Sequence, residues 1–203
     1  DVKIKLLPDS KRSQITVFII IAIVIVIGIL IIFFAKSDLL KIQKIDPEVQ
    51  PIYSFVDECI KEIGKSAILD TSNYGGYFIS PELSFNGGIA YYLKDGKDLT
   101  PSKEKIETEI GNYVDNLIYF CVGEFENFED YVIDDGEIKT IVNIEKEKVI
   151  FDVNYPISIT KGENTYNINS FGAEIPARLG IIYDSVKFIM DDQMKDKKSI
   201  CIT

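Results

Sequence analysis

The chain has 203 residues, of which 27% are charged, with a net charge of −10, three cysteines, no histidine and no tryptophan. An acidic balance of this size repels nucleic-acid phosphate, which argues against a nucleic-acid partner. Without imidazole there is no Ser-His or Cys-His pair and no HExxH zinc motif. GxSxG, Walker A and GxGxxG patterns are also missing.

Charge is unevenly placed. Residues 1–13 hold Lys3, Lys5, Lys11 and Arg12 against Asp1 and Asp9, a net of +2, which leaves −12 on the remainder. Next comes the uncharged run ITVFIIIAIVIVIGILIIFF from Ile15 to Phe34. As a helix it would be roughly 30 Å long, the thickness of a bilayer's hydrocarbon core. It predicts a single transmembrane helix over 15–35, with Ile15, Phe18, Ile21, Val24, Gly28, Ile31 and Phe34 as anchor positions. A cleaved secretory signal has a shorter apolar region followed by small residues, whereas this run ends Phe33-Phe34-Ala35-Lys36. Basic flanks stay inside, so residues 1–14 are expected in the cytoplasm and the rest outside the cell membrane.

Residues 36–47 read as a stalk, interrupted at Asp46-Pro47. From Glu48, the steps Ile52, Val56, Cys59, Ile60 and Ile63 predict an amphipathic helix to about Leu69. Leu83–Phe85 and Ile89–Tyr92 flank Asn86-Gly87-Gly88, a hairpin signal. Thr100-Pro101 predicts a helix start, with Ile106, Ile110, Val114, Leu117 and Cys121 on one face. Thr140–Ile144 and Val149–Val153 read as one strand pair, and Ile157–Thr160 with Thr165–Phe171 as another. The last segment predicts a helix with Pro176 in its first turn and Leu179, Ile182, Val186 and Ile189 on its buried face. The class expected over 48–203 is α+β: an antiparallel sheet with three main helices, forming one ectodomain. The chain opens at Asp1 and stops at Cys201-Ile202-Thr203, which gives the expectation of a longer parent polypeptide.

Cys59 and Cys121 both fall on apolar helix faces. They read either as two inert core thiols or as a disulfide joining the helices, which an outside location favours. Cys201 is left unassigned. The stretch from Glu124 to Glu137 is dense in carboxylates but lacks EF-hand spacing. Its Phe125, Phe128, Tyr131 and Ile133 are expected to cover the core while the acids face water. No catalytic, cofactor-binding or metal-binding residue emerges.

Lys11-Arg-Ser-Gln-Ile-Thr-Val-Phe-Ile-Ile-Ile21 resembles the N-terminal segment of a set of membrane-anchored proteins of small symbiotic (DPANN) archaea. The similarity continues through Val49–Ile60, Gly75-Gly-Tyr77, Tyr155-Pro156 and Arg178-Leu179. This resemblance implies an anchored envelope protein and no particular activity. The same segment is similar to archaeal type IV prepilins, where a basic residue, a small residue and Gln precede the filament-forming helix. Phe18 stands where such helices carry an acid. The first expectation is thus a non-catalytic surface protein of the cell envelope, structural or interacting, whose partners are the bilayer and a protein or a second copy through the anchor helix. A pilin-like subunit is the alternative and a membrane-bound enzyme the third.

Overall fold

The computed structural model describes residues 19–28, 45–85 and 87–195. The chain divides into two compact units, Asp1–Lys44 and Ile45–Thr203. In the first, residues 19–28 are helical and form α1. Its apolar side chains are exposed, Ile21 at 49% and Val24 at 62%. Among the described residues no helix is long and apolar enough to cross a membrane. The span expected over 15–35 is therefore not supplied by the described structure. Ile21, Val24 and Gly28 lie within α1. Ile15, Phe18, Ile31 and Phe34 lie outside the described residues, as do the tail 1–14 and the stalk up to residue 44.

The second unit is α+β with antiparallel sheets. Helix α2 (Gln50–Asn73) buries Ile52, Val56, Cys59, Ile60, Gly64, Ala67 and Thr71, the three- and four-residue steps of an amphipathic helix. Its proline stands in the first turn, where a missing N–H costs nothing. The helix closes in a Schellman arrangement. Gly75 takes φ +75°, its N–H donates to the Ser72 carbonyl, and the Gly76 N–H donates to the Thr71 carbonyl at 2.7 Å.

Helix α3 (Lys103–Leu117) starts two residues later than Thr100-Pro101 suggests. The capping oxygen belongs to Ser102, which accepts the Lys105 N–H at 3.2 Å from an extended backbone, so Pro101 precedes the cap. Ile106, Ile110 and Val114 are buried as expected. After them Ile118, fully buried, takes the place expected for half-buried Leu117. Cys121 sits on a separate short helix, α4 (Tyr119–Val122), followed by a 3-10 turn over Gly123–Phe125.

Two small hairpins, β1–β2 (Ser84–Phe85, Ile89–Ala90) and β3–β4 (Leu93–Lys94, Lys97–Asp98), lie between α2 and α3 in the chain. The main sheet contains β5 (Val132–Asp135), β6 (Lys139–Ile144), β7 (Lys148–Lys161) and β8 (Asn164–Pro176). Both β5 and β6 pair with β7, along its C-terminal and N-terminal halves respectively, and β8 also pairs with β7. Val149–Val153 and Ile157–Thr160, expected as members of separate pairs, are one long strand, β7, flanked by β6 and β8. Pro156 is absorbed where the β7–β8 register shifts between Asn154 and Ile157, and its carbonyl accepts the Gly136 N–H at 2.9 Å. Strand β5 arises inside the acidic stretch.

On β7, Val149, Phe151, Val153, Tyr155, Ile157 and Ile159 are buried in strict alternation, facing the core formed with α2 and α3. The opposite face carries polar residues together with Ile150, Ile141 and Val132, the last two 67% and 71% exposed. In the acidic stretch Phe125 is buried, and Phe128, Tyr131 and Ile133 pack half-buried against the same core. Helix α5 (Leu179–Lys195) departs from expectation. Pro176 is the last residue of β8, and Ile182 and Ile189 are 57% and 44% exposed. The helix touches mainly β4 and β7, so only a narrow stripe with Leu179, Gly180 and Met190 is buried.

Candidate functional site

Tyr74–Leu93 forms a surface segment of unusual composition. In a chain that is 27% charged, these 20 residues contain one charge, Glu82. Tyr74, Ile79, Leu83, Phe85, Ile89 and Leu93 are all exposed, Ile79 at 74% and Phe85 at 58%. So many exposed apolar side chains in one short segment point to an interaction site.

The segment is held in place and has a defined shape. Gly75 and Gly76 turn the chain off the end of α2. A side chain at Gly76 would meet Ile106 Cγ1 at 2.9 Å, so only glycine lets the loop lie this close to α3. Glu109 of α3, 7% exposed, accepts the Phe78 backbone N–H at 2.8 Å and the Lys105 ammonium at 2.5 Å. The Phe78 ring meets Tyr113 edge-on at 5.0 Å. The Tyr113 hydroxyl donates to Asp70 Oδ2 at 2.7 Å, and burial, then that bond, pushes its pKa up to about 12.

Hairpin β1–β2 folds back over this end of α2. Ser84 pairs with Ala90 and Phe85 with Ile89, and Gly87 and Gly88 carry positive φ at the turn. The Ala90 N–H donates to the Tyr74 carbonyl, and the Phe85 and Tyr91 rings meet edge-on at 6.4 Å. In hairpin β3–β4, Asp95 and Gly96 both take positive φ, the geometry of a type I′ turn. It is tied to α5 by Lys187 Nζ, 2.8 Å from Asp98 Oδ2. That bond holds the Asp98 carboxyl down to about 2.

Glu109→Ala leaves the Phe78 N–H without its acceptor, an expected loss of about 1–3 kcal/mol. Amide exchange should quicken across 76–80 more than in the sheet, and unchanged exchange there would show that Glu109 does not hold the loop. The Asp98 carboxyl is depressed in the folded state, so its contribution is present above its ordinary value near 4 and is lost as pH falls towards 2. The pair is largely exposed, so the effect is at most about 1 kcal/mol. The melting-temperature gap between native protein and Lys187→Gln should therefore close between pH 4 and 2; a gap that persists at pH 2 would refute the link.

Cys59 and Cys121 come together, with Cα atoms 5.7 Å apart and sulfurs at disulfide distance. They join α2 to α4, and Cys59 is 2% exposed. Cys201 lies outside the described residues. Among the described residues no group of three or more His, Cys, Asp or Glu converges to hold a metal ion.

The Asn86-Gly87-Gly88 turn residues mark the β1–β2 hairpin in the sequence but not the surface around it. The available signals were the near absence of charge from Tyr74 to Leu93 and the Asp95-Gly96 turn dipeptide. Chemically the surface offers apolar contact and backbone polar groups at a hairpin tip, with little charge to desolvate. No protein-family model, curated protein or solved structure matches the chain.

Proposed function

We propose that this chain is a membrane-anchored protein of the cell envelope with a structural or interaction role and no catalytic one. The uncharged run from Ile15 to Phe34 carries the reading, because it has the length and composition of a bilayer span. The +2 tail before it favours an inside N-terminus and an outside domain. The Cys59–Cys121 pair supports an oxidising compartment for that domain, since disulfides persist there and are rare in the cytosol. The Tyr74–Leu93 surface supports an interaction role.

The pilin-like alternative rests on the basic-small-Gln pattern at Arg12-Ser13-Gln14. Mass spectrometry of the mature N-terminus separates the two. A chain retaining residues before Gln14 supports the plain anchor, and a chain beginning at Gln14 replaces it with the filament subunit.

A further inference from the structure

Uncharged surface on so acidic a domain needs an occupant that tolerates the rest of that domain. We infer that the Tyr74–Leu93 surface pairs with the same surface on a second copy of this chain. This deepens the interaction reading above and rests on it.

Charge placement is the first argument. Residues 45–195 carry 28 acids and 13 bases, a net of −15. Contact between copies through most of that surface would set like charges against each other. The stretch 71–102 holds only Glu82, Lys94, Asp95, Lys97 and Asp98, a net of −1. The densest acidic segment, 124–137, lies at the other end of α2. Phe55, in the second turn of that helix, meets Phe125 and Phe128 at 6.5 and 5.4 Å. The Tyr131 hydroxyl bonds the Glu48 carbonyl just before the helix. The hairpins leave from its last turn at Tyr74. A helix of 24 residues separates these ends by roughly 36 Å. That is several times the ~8 Å Debye length at physiological salt, so two copies joined through the hairpins keep their acidic ends mutually screened.

Area and shape are the second argument. The exposed parts of the six large apolar residues sum to on the order of 600 Å², near the top of the range for a patch on a monomer. A standard interface buries about 800 Å² per partner, so the pairing is expected to be weak and density-dependent. A two-fold contact requires a patch complementary to itself, and a neutral apolar patch meets that condition without paired charges. Because Glu109 and the glycine turns hold the loop in shape, little ordering is lost on association.

The protein has no tryptophan, so Phe85→Trp supplies a single reporter on the surface. The full chain carrying it is reconstituted into phosphatidylcholine vesicles over a range of protein-to-lipid ratios, with and without brominated lipid. Pairing predicts exposed emission at low density and a blue shift as density rises, with no quenching by brominated lipid. Adding Ile79→Glu and Ile89→Glu should abolish the shift. Exposed emission at every density overturns the proposal. Quenching by brominated lipid at all densities also overturns it and assigns the surface to the bilayer. A chain that does not enter vesicles counts against the anchor alone. The same density series is then run in buffer, where the same shift, or its absence, decides the pairing.

Discussion

Reducing the Cys59–Cys121 bridge is expected to lower the melting temperature by roughly 8–16 °C. The bridge spans 62 residues, and closing a loop of that size contributes about 4 kcal/mol in the chain-entropy model. In a domain of this size each kcal/mol moves the melting point by about 2–4 °C. Because the two sulfurs act as one unit, Cys59→Ala, Cys121→Ala and the double variant should melt close together, and reductant should no longer affect any of them. A native protein indifferent to reductant, or single variants whose losses add, would mean that the two thiols are merely buried side by side.

The second large effect is expected at Phe151, 1% exposed on β7 beneath α2. Phe151→Ala should cost about 3–5 kcal/mol, through lost transfer energy and the cavity left behind. Native domains have about 5–15 kcal/mol in total, so the variant should be close to unfolding at moderate temperature. Its neighbour Gly64 supplies an internal check. A methyl there would meet Ile175 Cδ1 at 2.8 Å and Phe151 Cζ at 3.2 Å, because α2 lies close against the sheet. With the ring removed, Ile175 has room to move. Gly64→Ala should then recover up to about 1 kcal/mol of helix propensity in the Phe151→Ala background and recover less in the native one. Equal effects in both backgrounds, measured by denaturant titration, would show that α2 does not rest on this ring.

Much of the fold was legible because burial and periodicity agree where an element has one wet face. Ile52, Val56, Cys59 and Ile60 on α2, and Ile106, Ile110 and Val114 on α3, are buried where their spacing puts them. It was less legible where tertiary contacts override local rules. Val149–Val153 and Ile157–Thr160 read as separate strands, yet β7 runs through Pro156 because the register shift accommodates its missing N–H. Ile182 and Ile189 read as core, yet α5 rests on too few neighbours to cover them. β5 was hidden by its acids: Val132, Asp134 and Asp135 are exposed while only Ile133 turns inward. Cys59 was legible from its face of α2, whereas Cys121, which its spacing places on α3, lies on the separate helix α4. The Tyr74–Leu93 surface was not legible, because a hairpin signal says nothing of burial, and it takes Glu109 and the glycine turns to hold these residues at the surface.

We propose that Ile15–Phe34 anchors the chain with its folded domain outside the cell membrane. Protease added to intact cells producing the protein with an N-terminal epitope tests it directly. Everything beyond about residue 35 is expected to be cleaved or released, while a short tagged fragment stays protected and resists alkaline extraction from the membrane. Full protection of the domain in intact cells, followed by its digestion after lysis, would contradict the orientation. Extraction of the tagged fragment by alkali would contradict the anchor itself.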